Sequence, residues 1–311
     1  MKITFIIPIR IDSKDRLINL STVIRQLSQE FTESEIIVIE QSDEQKAKDL
    51  ALKGNCRYVW QQSDTSFCKS LAINHGLKIR QHKICCVYDA DVLISSKAIS
   101  LGVNIIENST FQVVLPYNQI CTNITGKTKE FIIETLDFSN FSNFTNIRDA
   151  KSYKDATPHI LNGGVILFNA EIAISCGGFN KKMISYGWED TEFHVRLRKL
   201  GYPMYMLHSF SIVHLDHQRG ADSKPNENYF KNETEFFHIK NLNKKQLAAY
   251  VENELYELTP NETITQLIKQ QSIIKLAIRK IIATTNWIYI NIRIRDKKTI
   301  INRALKSITS T

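Results

Sequence analysis

The stretch that decides the fold is Lys83-Ile-Cys-Cys-Val-Tyr-Asp-Ala-Asp-Val-Leu-Ile94, an apolar run that contains two aspartates, Asp89 and Asp91. An apolar run of this length is typical of a buried strand, and open α/β sheets bind ligands beyond the carboxyl ends of their strands. Alternate residues at a strand end can face the same crevice. An Asp-X-Asp pair there suits a divalent cation that carries a diphosphate. The alternative is a polar turn, in which aspartate is common.

The first hundred residues alternate apolar runs with helical patterns. Strands are predicted at residues 3–8, 35–39, 57–60 and 84–88, and helices at 17–27, 44–52 and 67–79. Strands separated by helices of this length predict an α/β fold with a mostly parallel, Rossmann-like sheet.

The part of the chain from residue 119 to residue 220 is less regular. Residues 119–158 turn polar, which predicts a long surface segment. Further strands are predicted at 160–168, 203–207 and 211–214, with helices in 169–176 and 188–200.

Length and composition indicate a globular protein, with 311 residues and 43% hydrophobic content. The short apolar run at residues 3–8 is ended by a proline, so no signal peptide is expected and the protein is predicted to be cytoplasmic. Six cysteines show no paired metal-type spacing, and we expect them to be reduced and mostly structural.

The net charge of +8 is concentrated at the end of the chain, where residues 263–311 hold ten lysines and arginines against one acid, Asp296. Apolar residues recur there at helical spacing, and charges interrupt every run that could span a membrane. This pattern predicts an amphipathic helical extension on an anionic membrane surface, with Trp287 and Tyr289 at headgroup level. The alternative is a helix packed on protein. No nucleic-acid-binding motif accompanies the basic residues, so nucleic acid is not an expected partner.

Several short motifs occur in the order found in one enzyme family. The chain resembles inverting glycosyltransferases of the GT-A fold, and is similar to family 2 enzymes and to the catalytic domain of the β-1,4-galactosyltransferases. The resemblance covers about residues 3–220 and rests on these motifs: Ile7-Pro8-Ile9-Arg10, Val38-Ile39-Glu40-Gln41, Phe67-Cys68-Lys69, Asp89-Ala90-Asp91, Asn162-Gly163-Gly164, Gly177-Gly178-Phe179, Gly187-Trp188-Glu189-Asp190 and His214.

The resemblance implies a site for a UDP-sugar donor. It assigns to nucleotide-sugar binding Pro8, Arg10, Glu40, Lys69, Asp89, Asp91, Gly164 and Trp188. Arginine and lysine are the expected phosphate partners, and Trp188 is expected to pack its ring on a sugar. Without the resemblance, Arg10 and Lys69 would be interpreted as ordinary exposed charges.

The resemblance also implies a metal ion held by Asp91 and by a histidine after the last strand of the core. His214 is preferred because it ends an apolar run, with His217 as its rival. Imidazole beside carboxylate and diphosphate oxygens favours Mn²⁺, with Mg²⁺ as the alternative.

Asp190 is predicted to be the catalytic base, with Glu189 as its neighbour. A helix start stabilises an ionised carboxylate, which a base must be when it meets the acceptor hydroxyl. The alternative is an acidic residue that only complements the helix dipole.

The predicted function is metal-dependent, inverting transfer of a hexose or N-acetylhexosamine, with galactose or GalNAc favoured, from a UDP-sugar to a glycan or lipid-linked acceptor in surface polysaccharide assembly. The expected place is the inner face of the membrane. The alternatives are a catalytically silent sugar- or nucleotide-binding partner and a nucleotidyltransferase, which lacks support because no glycine-rich phosphate loop follows the first strand.

Predicted domain boundaries follow from the same motifs. Residues 1–222 form the catalytic domain, with a nucleotide-binding half at 1–118 and an acceptor half at 159–222. A helical connector follows at 223–262 and the basic extension at 263–311.

Overall fold

The computed structural model describes residues 1–141, 143–154, 163–220, 222 and 224–255. The chain divides into two compact units, Met1–Ile264 and Thr265–Thr311. The second unit, and with it the predicted basic extension, lies outside the described residues, as does Asn162. Within the described ranges, none of the helices combines the length and the hydrophobicity needed to cross a membrane. The predicted domain boundaries stay predictions.

The first part of the chain alternates strands and helices, as the apolar pattern predicts. The elements are β1 (Thr4–Ile9), α1 (Lys14–Glu30), β2 (Glu35–Ser42), α2 (Lys48–Lys53), β3 (Arg57–Gln62), α3 (Lys69–Ile79), β4 (Ile84–Tyr88), β5 (Val92–Leu93) and α4 (Ser96–Asn108). Only α2 is clearly shorter than the helix predicted at 44–52.

The remaining described elements complete the sheets and add a helical end. They are β6 (Val113–Leu115), β7 (Ile120–Ile124), α5 (Gly126–Thr135), a 3₁₀ turn (Ser139–Phe141), β8 (Asn146–Ile147), β9 (Ala150–Lys154), β10 (Val165–Asn169), α6 (Ala170–Ser175), α7 (Glu189–Leu200), β11 (Met204–Met206), β12 (Ile212–Leu215), α8 (Glu227–Asn241), α9 (Lys244–Tyr250) and a π-helical turn (Val251–Leu255).

The main sheet has seven strands in the order β11-β6-β10-β4-β1-β2-β3. β1 pairs in parallel with β2 and β4, and β2 pairs in parallel with β3. β10 is antiparallel to both of its neighbours, β4 and β6. The prediction of a mostly parallel α/β sheet flanked by helices is confirmed.

Close packing of α3 on the sheet brings the start of this helix to the strand ends. A Cβ atom on Gly76 would lie only 2.6 Å from Ile6 Cγ2 in β1, so glycine is needed for this approach. Lys69, the first residue of α3, thereby lies beside the carboxyl ends of β1 and β4.

The segment predicted to be a long surface loop is mostly regular structure, and this prediction was wrong. Its strands β7, β8 and β9 join β5 and β12 in a second sheet with the order β5-β12-β7-β9-β8. β9 exposes most of its side chains, so the segment has few of the apolar residues that indicate a strand in a sequence.

The two sheets meet at Asp89-Ala90-Asp91, which connects β4 of the first sheet to β5 of the second. The Asp89 amide donates to the Gly164 carbonyl beside β10, and the Leu215 amide of β12 donates to the Asp91 carbonyl. Backbone hydrogen bonds therefore fix both aspartates at the junction of the sheets.

Candidate active site

A cavity of about 300 Å³ opens at this junction, beyond the carboxyl ends of β1 and β4. It brings together most of the predicted site residues: Pro8, Arg10, Lys69, Asp89, Asp91, Gly164, Glu189, Asp190, His214 and His217. Two of the predicted site residues, Glu40 and Trp188, do not line it.

One ammonium group holds three carboxylates together on one side of the cavity. Lys69 Nζ lies 3.0 Å from Asp89 Oδ1, 3.0 Å from Asp190 Oδ2 and 3.5 Å from Glu189 Oε1. Burial alone would lower the pKa of Lys69, but the charges of Asp190, Asp89 and Glu189 raise it well above its usual value. The lysine therefore stays protonated and offsets part of the negative charge in this cluster.

The crowding of these buried carboxylates also raises the pKa values of two of them, Asp89 and Glu189. Burial raises the pKa of Asp89 to about 6, against the opposing effect of Lys69, and the nearby Asp190 and Asp91 charges add to the rise. Burial and the Asp190 charge raise the pKa of Glu189 to about 7. Proximity of like charges in a buried site makes each carboxylate harder to ionise.

Asp190 has one oxygen engaged and the other open. Its Oδ2 atom accepts from Lys69, while its buried Oδ1 atom has no hydrogen-bond partner among the described residues. A Cβ atom on Gly163 would lie 1.8 Å from Oδ2, so only glycine allows the carboxylate to lie there. Because Asp190 also lines the cavity, its carboxylate is placed to accept a proton from a group bound there.

A second cluster of three side chains lies on the other strands of the junction. Asp91 Oδ2 is 3.0 Å from His217 Nε2, and Asp91 Oδ1 is 3.9 Å from His214 Nε2. The potential ligand atoms of the three residues all lie within 4.8 Å of one another. The structure thus brings together both histidines that the sequence offered as rivals.

Hydrogen bonds on the far sides of the rings turn both Nε2 atoms toward Asp91. His214 Nδ1 is 2.6 Å from Asn123 Oδ1, and the Asn123 amide group donates to the Asp216 carboxylate, which fixes its orientation. His217 Nδ1 is 2.9 Å from the carbonyl of Gln218. Both acceptors take a hydrogen bond from Nδ1, so Nε2 is the nitrogen that each ring turns toward Asp91 and offers to a metal, as in histidines that bind metals.

The electrostatics of the cluster favour an ionised carboxylate. Burial would raise the pKa of Asp91, but the hydrogen bond from His217 and the charges of His214 and Arg16 hold it below its usual value. Burial lowers the pKa of His214; for His217 the contact with Asp91 outweighs burial and raises the pKa. One carboxylate and two imidazoles are a donor set that fits a divalent transition metal ion.

Arg10 borders the cavity from the end of β1 and is only partly paired. Its Nη1 atom lies 2.9 Å from Asp222 Oδ2, and its Nε donates to the Gln41 carbonyl. The buried Nη2 atom has no partner among the described residues. A planar guanidinium with a free donor is suited to a phosphate or carbonyl oxygen.

Glu40 does not reach the cavity, which corrects its predicted role. Its carboxylate is fully buried and accepts from the amides of Lys46 and Ala47 and from the hydroxyls of Ser42 and Tyr58. These bonds hold the turn before α2, and they explain why that helix begins later than predicted.

Trp188 also differs from expectation. Its ring stacks on Phe236 of α8 at 4.7 Å between centroids and 25° between planes. Phe236 lies more than forty residues downstream of Trp188, so no local pattern could predict the contact. The Trp188 ring therefore packs against α8 and does not line the cavity.

Several residues that the sequence analysis did not select line the cavity. They are Asp12, Arg16, Phe67, Cys121, Tyr153, Tyr186, Arg219 and Asp222, among others. Tyr186 and Arg219 lie within four residues of predicted site residues, which was an available signal. Tyr153 belongs to β9, and the interpretation of that segment as a loop hid it.

Comparisons with known proteins bear on the fold and on the class of protein. Residues 142–218 match the family model described as the N-terminal domain of galactosyltransferase. No curated protein sequence matches the chain. The structure is similar to GalNAc-T7 with UDP, GalNAc and Mn²⁺, with 12% identity, a TM-score of 0.51, and coverage of 87% of this chain and 54% of that one.

Two further structures are similar. For TarS from S. aureus the identity is 16% and the TM-score 0.50, with 83% of this chain and 44% of that chain covered. For the mannosyltransferase PcManGT from Pyrobaculum calidifontis, in complex with GDP-Man and Mn²⁺, the identity is 14% and the TM-score 0.47, with 88% of this chain and 80% of that chain covered. The chain has a GT-A glycosyltransferase fold. It spans about half the length of GalNAc-T7 and TarS.

The likenesses to GalNAc-T7 and TarS confirm the GT-A fold predicted from the sequence. Together with the galactosyltransferase match at residues 142–218, the fold supports a glycosyltransferase.

Proposed function

We propose that the protein is a metal-dependent, inverting glycosyltransferase that uses a UDP-sugar donor. The observation that carries the proposal is that one cavity holds both a metal-type cluster, Asp91 with His214 and His217, and a carboxylate with a free oxygen, Asp190. GalNAc-T7 was solved with UDP, GalNAc and Mn²⁺, a nucleotide, a sugar and a metal ion of the kinds that this pair of clusters could serve.

In this proposal Asp91, His214 and His217 hold the cation. A divalent ion bound there supplies positive charge that neutralises the departing diphosphate. Mn²⁺ fits the mixed oxygen and nitrogen donors best, with Mg²⁺ as the alternative. Arg10 supplies a further cationic donor at the edge of the cavity through its free Nη2 atom.

Asp190 acts as the general base. The acceptor hydroxyl loses its proton to Asp190 Oδ1 as its oxygen bonds to the anomeric carbon of the donor, and the bond from that carbon to the diphosphate oxygen breaks. UDP leaves with the bonding electron pair. Attack from the face opposite the diphosphate inverts the anomeric configuration, which requires one base and no protein nucleophile.

Lys69 and Glu189 have supporting roles in this scheme. Lys69 holds Oδ2 of Asp190 and so restrains this carboxylate at the wall of the cavity. The pKa of about 7 for Glu189 gives this residue a protonated fraction near neutral pH, in which it can donate a hydrogen bond to a sugar hydroxyl.

The transferred sugar is a hexose or N-acetylhexosamine, and the galactosyltransferase match favours galactose or GalNAc. The acceptor is a glycan or a lipid-linked saccharide. We place the enzyme in surface polysaccharide assembly on the inner face of the membrane, supported only by the basic, amphipathic pattern of residues 263–311.

A donor panel tests the reaction. Release of UDP from UDP-galactose, UDP-GalNAc, UDP-glucose and UDP-GlcNAc is measured with Mn²⁺, with Mg²⁺ and with EDTA. Asp190→Asn should bind UDP and lose turnover, and Asp91→Asn should lose the Mn²⁺-dependent turnover. Asp43→Asn, an exposed acid outside the cavity, is the matched control. Metal-independent turnover that survives Asp91→Asn would contradict the metal assignment.

Co-sedimentation with vesicles tests the membrane assignment. The full chain should bind vesicles that contain phosphatidylglycerol and release them at high salt. A variant with Lys269, Lys275, Arg279 and Lys280 all changed to glutamine should bind less. Equal binding to neutral and anionic vesicles would argue against an electrostatic surface site.

A further inference from the structure

Aromatic rings continue from the cavity onto the surface of α8. Tyr186 lines the cavity and is 37% exposed, and its ring stacks on Tyr229 of α8 with centroids 6.1 Å apart and planes at 20°. Tyr229 meets Phe230 edge to face at 5.6 Å, and Phe230 is 64% exposed. We call Tyr186, Tyr229 and Phe230 the aromatic stripe.

The stripe is held in place by the backbone of the loop that leads to the catalytic acids. A Cβ atom on Gly187 would lie 2.9 Å from Tyr229 Cδ2, so the tyrosine ring rests directly on this glycine, whose φ of +96° also favours glycine. Tyr186 and Gly187 therefore fix the first half of the stripe close to Asp190.

A buried amide fixes α8 to the same loop. Asn232, 1% exposed, donates to the carbonyls of Ile184 and Gly187 and accepts from the amide of Ile184. At the start of the helix, Asn226 donates to the hydroxyl of Ser185. The rings are thus preorganised, which reduces the entropy lost when a ligand orders them.

Exposed aromatic faces beside a polar cavity suit a saccharide. The apolar C–H faces of pyranose rings stack on aromatic side chains, while their hydroxyls stay in water or bind polar groups at the rim. The two exposed rings, Tyr186 and Phe230, lie at the two ends of the stripe, and Tyr229 contacts both of them.

We propose that the aromatic stripe is a binding subsite for the sugar units that precede the accepting residue, and that the acceptor is therefore an oligosaccharide rather than a single sugar. The proposal rests on the proposed glycosyltransferase function. It places the accepting hydroxyl near Asp190 and leads the rest of the acceptor outward past Tyr186 and across Phe230.

The test measures binding of soluble saccharides to the full chain by calorimetry. The probes are cello-, chito- and malto-oligosaccharides of one to five units, titrated in the presence of UDP and Mn²⁺. Wild-type affinity should rise with length up to three units in at least one series. Phe230→Ala should weaken trisaccharide binding about 10-fold and remove the gain from length.

Two variants separate stacking from other effects of substitution. Phe230→Tyr keeps the ring and should keep the length dependence. Phe144→Ala removes a ring that is 62% exposed and lies outside the stripe, and it should bind like the wild type. Phe230 is exposed, so its replacement does not threaten the core.

Three results would overturn the proposed saccharide subsite. The first is affinity that does not rise with length in any series, and the second is unchanged trisaccharide binding by Phe230→Ala. The third is a Phe230→Ala variant that loses binding to phosphatidylglycerol vesicles but keeps its binding to saccharides. UDP binding to the wild type separates the two proposals. If wild-type protein binds UDP with Mn²⁺ but shows no length dependence, only the stripe fails; if it binds no UDP, the proposed function fails.

Discussion

Replacing Gly163 by alanine is expected to displace the carboxylate of Asp190. The added Cβ would lie 1.8 Å from Oδ2 and 2.9 Å from Cγ of Asp190. Non-bonded heavy atoms pack at about 3.5–4.0 Å, so the carboxylate must move by more than ~1 Å. Residue 163 is restrained from moving away, because its carbonyl accepts the hydroxyl of Tyr117 at 2.6 Å. The displacement also draws Oδ2 away from Lys69.

The size of the effect follows from the displacement. A misplacement of about 1 Å in a catalytic group can cost on the order of 100-fold in rate. Turnover of the UDP-sugar by Gly163→Ala should therefore fall ~100-fold, equivalent to ~2.7 kcal/mol in the activation free energy. Affinity for UDP with Mn²⁺ should stay near the wild-type value, because the proposed metal ligands do not contact residue 163.

A double-mutant cycle distinguishes this cause from general damage. In an Asp190→Ala background the new methyl group has no carboxylate to displace, so adding Gly163→Ala should cost little more. UDP release measures turnover and calorimetry measures UDP binding in all four proteins. Turnover of Gly163→Ala within about threefold of the wild type would refute the reasoning, as would additive losses in the cycle.

Three further predictions concern stability and metal affinity. Burial lowers the pKa of His194 to about 4, and neither ring nitrogen has a partner among the described residues. Because the unfolded chain takes up this proton near pH 6.5, the free energy of unfolding should fall as pH drops from about 6.5 to 4, by ~3 kcal/mol in total. His194→Leu lacks this titration, so its free energy of unfolding, measured by urea denaturation at each pH, should fall by that much less than the wild-type value over this pH range. Equal falls in the two proteins would contradict the assignment. Arg196→Met leaves Glu192 buried without its ion pair, so denaturation should show a loss of ~3–5 kcal/mol; a loss under ~1 kcal/mol would be inconsistent with the buried pair. Asn123→Ala removes the acceptor for His214 Nδ1 and should weaken Mn²⁺ binding ~10–100-fold in calorimetry, whereas unchanged affinity would indicate that His214 is not a ligand.

The first half of the fold could be predicted because its central strands, β1 and β4, are almost wholly apolar. β1 and β4 are buried along their whole length, so each gives a continuous hydrophobic run. The second sheet gave no such signal. β9 buries only Ala150 fully, and its partner β8 is exposed throughout, so their pairing depends on contacts between distant segments.

The candidate site could be predicted at the level of residue type and order, but not at the level of pairing. Asp89, Asp91, Asp190 and the two histidines lie around one cavity, as the motifs indicate. The sequence gives no sign that Lys69 holds three carboxylates, because its partners come from two separate segments.

Glu40 shows the opposite error. It occupies a position at a strand end that favours ligand binding, yet its hydrogen-bonding capacity is used by the backbone of the following turn. A carboxylate at a strand end can serve either purpose, and only the three-dimensional placement of the turn decides between them.

The junction of the two sheets has a consequence for how such a protein can change over evolutionary time. Asp89 and Asp91 are anchored by main-chain bonds to Gly164 and Leu215, which do not depend on the side chains of the second sheet. The segment that carries Tyr153 can therefore vary in sequence while the aspartates keep their places. The shape of the cavity that Tyr153 lines can thus diverge between related chains while the two carboxylates stay fixed.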